Sequence, residues 1–270
     1  MADEKYGDLT AILGLQGKKA LINGGGQGIG RSSALLLATA GADVAIVDNV
    51  PELGQAVVEE IKGLGRKSAL LDINLLDDSQ MSRLVPAVVK ELGGLDVVIN
   101  VVGRPLWRAT HEMTLDEWDG QFRLNLDYIF RSSQEAFQYW RDRGHGGSIV
   151  SISSGSGTEA SPGHAAYGAA KAALIQLTQT LGVEWATQGV RVNAIAPGSI
   201  RTPRSVSRTP AEMEAKIIEK VPMGRRGESD DIGKVVLFLA SEMSSYVTGQ
   251  TIIVDGGSMI ENWFPVRYSS

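Results

Sequence analysis

Short runs of β-branched and aliphatic residues alternate with longer stretches of helical period, and this alternation constrains the fold more than any other feature. Lys19–Ile22 reads as a strand running into a glycine cluster, and Arg31–Ala40 as a helix stopped by Gly41. Val44–Val47 is a second strand. Pro51–Leu64 is a helix with proline in its first turn and Gly65 just past its end. Ser68–Leu71 is a third strand, and Asp77 is the N-cap of a helix reaching Leu92, where Gly93 and Gly94 end it. Leu95–Val102 is a fourth strand, Thr114–Trp140 carries helical period, and Gly147–Ser153 is a fifth strand. Ala165–Thr187 is a long helix, and Val190–Ala196 is a sixth strand stopped by Pro197 and Gly198. Residues 199–222 read as irregular, with one helix in Ala211–Lys220; Asp230–Ser241 is a helix and Gln250–Val254 a seventh strand. Continuously apolar strands separated by helices predict an α/β fold: one doubly wound, seven-stranded, mainly parallel sheet with helices on both faces. No linker-like stretch breaks the alternation, so residues 1–270 are expected to form a single domain.

Composition removes several classes of function. With 43% hydrophobic and 21% charged residues the chain is neither disordered nor fibrous. Cysteine is absent, which excludes disulfides, thiolate metal sites and a cysteine nucleophile, and fits a reducing compartment. A net charge of −5 without basic runs argues against nucleic acid as a partner. No apolar run approaches the length of a membrane span. The segment Met1–Gly17 lacks the pattern of a secretory signal, so the expectation is a cytoplasmic protein without membrane contact.

In an open α/β sheet, ligands bind outside the carboxyl ends of the strands. The unusual polar and glycine residues fall at those ends. Asn23 and the cluster Gly24, Gly25, Gly26, Gln27, Gly28, Ile29, Gly30 follow the first strand. Glycines there let backbone N–H groups approach a pyrophosphate, which the following helix N-terminus favours electrostatically. Asp48 stands 18 residues beyond Gly30, close to the spacing of the acid that bonds a ribose in dinucleotide-binding folds. Its carboxylate would repel a 2′-phosphate and Gln27 brings no compensating charge, so NAD is expected over NADP. A plain turn cap ahead of Pro51 is the other reading of Asp48. Tyr167 and Lys171 share a helix face at i, i+4. An ammonium beside a phenol is expected to lower the tyrosine pKa, giving a general acid/base.

With these residues in hand, the chain resembles the classical short-chain dehydrogenase/reductase family over Gly14–Ser258. The resemblance rests on the Gly24/Gly28/Gly30 loop, Asp72-Ile73, Asn100-Val101-Val102-Gly103, Asn125, Ile152-Ser153-Ser154, Tyr167-x-x-x-Lys171, Pro197-Gly198 and Asp255-Gly256-Gly257. It implies a Rossmann fold, a nicotinamide cofactor, and interconversion of an alcohol and a carbonyl. It also implies four catalytic residues. Ser154, 13 positions before Tyr167, would polarise the substrate oxygen; Tyr167 would pass the proton. Lys171 would hold the nicotinamide ribose and bias the tyrosine, and Asn125 would hold a relay water. The implied cofactor set is Gly24, Gln27, Gly28, Ile29, Gly30, Asp48, Asp72, Ile73, Asn100, Gly103, Tyr167, Lys171, Pro197, Gly198, Ile200 and Thr202. Two stretches depart from the family: Val101-Val102 replaces its usual Asn-Ala, and Asn23 replaces its usual threonine.

Residues 199–222 resemble a substrate lid in that family. Arg104, Arg108, Arg201, Arg204 and Arg208 flank this region, and we read them as a solvated surface, with an anionic substrate as the alternative. His111, His145 and His164 have no ligand spacing, so no metal is expected; His164 reads as a solvated loop residue, with substrate contact as the alternative. Ala165, Ala169, Ala172 and Ala173 give the Tyr167 helix a small-residue side, which with the family resemblance implies a homo-oligomer, dimer or tetramer. Trp263 and Phe264 in the tail 259–270 suggest docking on a neighbouring subunit. The expectation is an NAD-dependent secondary-alcohol dehydrogenase or ketone reductase. An NADP-dependent carbonyl reductase and a non-catalytic NAD-binding sensor or scaffold are the alternatives.

Overall fold

A computed structural model describes residues 9–259. The expectation about Trp263 and Phe264 lies outside the described residues. The chain runs α1 (Leu9–Leu13), β1 (Lys19–Asn23), α2 (Gly28–Thr39), β2 (Asp43–Val47), α3 (Pro51–Gly63), β3 (Ser68–Leu71), α4 (Asp78–Met81), α5 (Leu84–Leu92) and β4 (Val97–Asn100). It continues through α6 (Leu115–Phe122), α7 (Tyr128–Arg143), β5 (Gly147–Ile152), α8 (Ala165–Glu184), β6 (Val190–Pro197), β7 (Ile200–Arg201), α9 (Pro203–Val206), α10 (Ala211–Glu219), β8 (Gly227–Glu228), α11 (Ser229–Ala240) and β9 (Thr251–Val254).

Seven strands form one parallel sheet in the order β3-β2-β1-β4-β5-β6-β9. Side chains alternate across it with the period of two that strands impose. Ala20, Ile22, Val44 and Ile46 join Leu37, Val57, Ile61, Val236 and Leu239 from α2, α3 and α11 in one core. Leu21, Ala45 and Val47 face the other way, into a second core with Val85, Val88, Ile129, Ala136, Trp140 and Leu174 from α5, α7 and α8. Burying both faces is what requires the strands to be apolar throughout. Chain order reverses between β1 and β4, and their carboxyl ends open the crevice where ligands bind in such sheets.

Several local expectations change. The helix expected from Asp77 to Leu92 is two helices. Asp77 caps the first, accepting from the Ser79 amide. Pro86 cannot continue a helix whose carbonyls lie one turn before it, so the chain restarts and Pro86 falls in the first turn of α5. The stretch Thr114–Trp140 is also divided. Thr114 and Glu117 form a capping box on α6, and a π-helical turn at Arg123–Asp127 joins it to α7. The fourth strand is shorter than Leu95–Val102, because Val101 and Val102 already bend over β1, bonding the Asn23 carbonyl. The segment 199–222 is not irregular: it carries β7, α9 and α10, and β7 pairs with β8.

Candidate active site

The glycine loop follows β1 because only glycine fits its path. Gly24 sits at φ 95° and donates to the Val47 carbonyl at 2.7 Å. A Cβ on Gly30 would overlap the Gly24 carbonyl. Gln27 precedes α2 without a side-chain cap, so the first turn of that helix keeps the character of an anion site. Asp48 reaches the loop from the end of β2. Its Oδ2 accepts from the Gly26 amide at 2.7 Å, and its Oδ1 accepts from the Val50 amide at 3.0 Å. The turn-cap and loop-reading roles of this carboxylate therefore coexist.

Asn100 is buried at the end of β4. Its Oδ1 accepts from Asn23 Nδ2 at 2.9 Å, and its Nδ2 donates to Ser151 Oγ at 3.2 Å. Asn23 Nδ2 also reaches Ser132 Oγ on α7 at 2.9 Å, while its buried Oδ1 has no partner. This network ties β1, β4 and β5 together directly beneath the crevice. Pro197 ends β6, and Gly198 donates to Val254 on β9. The chain then returns over the glycine loop: Ile200 is buried, and Thr202 stands 3.4 Å from where a Cβ on Gly28 would lie. Asp72 is exposed and Ile73 buried beyond β3, at the far edge of the sheet. Ile29 lies half-buried in the first turn of α2, against the core beneath it.

At the end of β5 the two serines separate. Ser153 is buried and donates to the Lys171 carbonyl at 3.0 Å. Ser154 opens outward, accepts from the Ser156 amide, and lies close enough to the Tyr167 phenol to favour its ionised form. Lys171 Nζ is buried, donates to the Ile152 carbonyl at 2.8 Å, and lies 5.8 Å from the Tyr167 ring centroid. The expected lowering of the Tyr167 pKa is absent. Burial pushes the phenol up, and Ser154 only partly opposes it. Lys171 is likewise shifted by its own burial, which brings its pKa down to about 7, and one of its N–H groups is given to the Ile152 carbonyl.

Asn125 lies buried in the π-helical turn. Its Oδ1 accepts from the Arg104 amide at 3.0 Å and its Nδ2 donates to the Gln121 carbonyl at 2.9 Å. A Cβ on Gly103 would stand 2.8 Å from Asn125 Oδ1 and 3.3 Å from Lys171 Nζ, so Gly103 is where these two groups meet the loop after β4. Gln121 Oε1 accepts from the Leu106 amide, and the buried Tyr128 hydroxyl donates to the Val102 carbonyl at 2.7 Å. Gln121 and Tyr128 were not anticipated as parts of the site. Their spacing from Asn125, four before and three after, was the available signal.

His164 is not a solvated loop residue. Its ring centroid is 3.7 Å from that of Trp107 and 5.9 Å, edge-on, from that of Tyr167. Its Nε2 is buried without a partner, and burial lowers its pKa. Arg201 and the buried Arg226 both bind Glu214 of α10, at 2.6 and 2.7 Å, and Arg226 also donates to the Ile200 carbonyl. These bonds staple the segment after β6 in place. Among the described residues no cluster of three or more His, Cys, Asp or Glu is placed to hold a metal, and no helix is long and apolar enough to cross a membrane.

Residues 24–259 match the family model described as Enoyl-(Acyl carrier protein) reductase. A 3-oxoacyl-(acyl-carrier-protein) reductase from Thermotoga maritima is 37% identical over 91% of this chain and 99% of its own length. A glucose 1-dehydrogenase from Gluconobacter oxydans is 35% identical, over 94% and 96%. Among solved structures, a short-chain type dehydrogenase/reductase from Mycobacterium marinum is 33% identical with a TM-score of 0.85, over 93% of this chain and 98% of that one. A 7α-hydroxysteroid dehydrogenase, solved with NADH and 7-oxo glycochenodeoxycholic acid, is 32% identical with a TM-score of 0.85, over 90% and 94%.

Proposed function

The chain belongs to the classical short-chain dehydrogenase/reductase family, a family of oxidoreductases, and from that premise we propose an NAD-dependent enzyme that interconverts a secondary alcohol and its ketone. The observation that carries this reading is the grouping of Ser154 at the end of β5 with Tyr167 and buried Lys171, whose Nζ lies 5.8 Å from the Tyr167 ring, at the same sheet edge as the glycine loop.

The loop fits a dinucleotide: a Cβ on Gly30 would close it, Gln27 leaves the helix end uncapped, and Asp48 is anchored at its rim. Gly24, Gln27, Gly28, Ile29 and Gly30 would hold the pyrophosphate side, and Asp48 the adenosine ribose. Asp72 and Ile73 would hold the adenine side, and Asn100 would steady the central strand and the cofactor's ribose region. Gly103, Tyr167, Lys171, Pro197, Gly198, Ile200 and Thr202 would hold the nicotinamide half. When bound, the nicotinamide supplies or accepts the hydride. The protein's part is orientation and proton transfer. Ser154 donates to the substrate oxygen. Tyr167, a protonated phenol at neutral pH whose pKa burial raises further, delivers a proton to that oxygen as reduction proceeds. Asn125 fixes the Arg104 amide and so the wall of the pocket, and is assigned the relay water. Residues 199–222 act as the lid of a single domain. The small side of α8, with Ala165, Ala169 and Ala172 along a shallow cavity of about 400 Å³, is assigned to packing in a homo-oligomer.

The test is Tyr167→Phe. Turnover is expected to fall by roughly two to four orders of magnitude, with NADH affinity nearly unchanged. Normal turnover in that variant contradicts the assignment.

A further inference from the structure

We propose that the lid and the loop after β4 form an anion-binding site, so that the alcohol or ketone handled at Ser154 and Tyr167 carries a carboxylate or a phosphate; this rests on the oxidoreductase reading above. Of the five arginines flanking the lid, two are neutralised. Arg108 pairs with Glu117 at 2.6 Å, and Arg201 with Glu214 and Glu228. Arg225 and Arg226 nearby are paired as well. Arg104, Arg204 and Arg208 have no carboxylate within ion-pair distance among the described residues.

Two anchors bring these three charges to the mouth of the cleft. Arg104 follows Gly103, the residue that abuts Asn125 and Lys171, and its own amide is held by Asn125 Oδ1. Arg204 lies two residues beyond Thr202, which rests against Gly28 of the glycine loop. Helical turns continue past α9, with Ser207 bonding Pro203 and Arg208 bonding Ser205, so Arg204 and Arg208 stand one turn apart. Arg204 feels both neighbours: after burial, the positive charges of Arg208 and Arg104 hold its pKa below the usual value. Arg108 and Arg225, each on a carboxylate, are shifted the opposite way. Like charges one turn apart weaken a helix. An anion between them reverses that penalty, and the planar guanidinium fork suits carboxylate and phosphate oxygens. Arg104 places the anion on the substrate side, next to the groups that flank Gly103, and away from Asp48.

Calorimetric titration of the protein loaded with NAD+, with which a ketone cannot react, tests this with two matched pairs: 4-oxopentanoate against 4-oxopentanamide, and hydroxyacetone phosphate against hydroxyacetone. The charged member of at least one pair is expected to bind about ten-fold tighter or better (about 1.4 kcal/mol), and the pair that responds identifies the anion. The Arg204→Gln/Arg208→Gln double variant is expected to lose that preference, with NADH affinity within about two-fold of wild type. Both positions are exposed, and an unchanged melting temperature verifies folding of the variant. Equal binding within both pairs overturns the proposal. So does a preference that survives in the double variant, or a loss of NADH affinity alongside it, which assigns the arginines to the cofactor. If wild type binds no NADH, the oxidoreductase reading fails; the same titrations on the unloaded protein then decide anion binding separately.

Discussion

Asp48 accepts the Gly26 amide at 2.7 Å, so the carboxylate at the end of β2 and the glycine loop after β1 are one structural unit. Its other oxygen holds the Val50 amide ahead of α3. The charge is thereby fixed at the rim of the loop, where the proposed adenosine ribose is read.

Asp48→Asn removes the charge and keeps one of the two acceptors: the amide oxygen can serve Gly26 while the bond to the Val50 amide is lost, and the repulsion toward a 2′-phosphate disappears. NADPH affinity is expected to rise by about ten-fold and NADH affinity to fall modestly, the former corresponding to about 1.4 kcal/mol. Fluorescence titration with each cofactor checks this. An unchanged ratio would mean that Asp48 serves only the turn.

Lys171 makes a prediction about pH. Its folded-state pKa is lowered to about 7 by burial, below the unfolded reference of about 10.4. Between those values the unfolded chain holds the proton and the folded chain does not. The penalty of burying this lysine is therefore complete below pH 7 and is relieved as pH rises toward 10. Denaturant unfolding of the cofactor-free protein at pH 6, 8 and 10 should show Lys171→Met stabilised relative to wild type most strongly at pH 6. The difference should shrink by up to about 1.4 kcal/mol per pH unit above 7. Parallel stability profiles for the two proteins would refute the shift.

Trp140 is fully buried, and its Nε1 donates to the Leu95 carbonyl at 2.7 Å. A Cβ on Gly147 would overlap its ring, whereas a Cβ on Gly63 meets nothing. Gly147→Ala should destabilise by about 1–3 kcal/mol through overpacking. Gly63→Ala, at the end of α3, should be neutral or stabilise by up to about 1 kcal/mol. Thermal unfolding of the pair decides; equal effects would contradict the packing described here.

The sheet was legible because buried parallel strands and their helices impose different apolar periods, and because glycines mark the one loop that needs them. Gly24, Gly28, Gly30, Asp48, Ser154, Tyr167 and Lys171 each fell at a strand end or on the long helix where a pattern in the sequence placed them. What escaped depends on contacts distant in sequence. The pairing of β7 with β8 joins residues on either side of α10. Glu214 neutralises Arg201 and Arg226 from a helix that pattern alone does not orient. The Tyr167 phenol responds to burial, a tertiary property, more than to the lysine one turn away. The break before α5 is different: Pro86 was visible, and its incompatibility with a continuous helix was the missed signal.

Direct titration of the wild-type protein with NADH and, separately, NADPH tests the central claim most directly. Saturable binding of both at the glycine loop is expected, with NADH tighter by about ten-fold or more, or about 1.4 kcal/mol. Tighter binding of NADPH would contradict the role given to Asp48, and binding of neither would contradict the oxidoreductase itself.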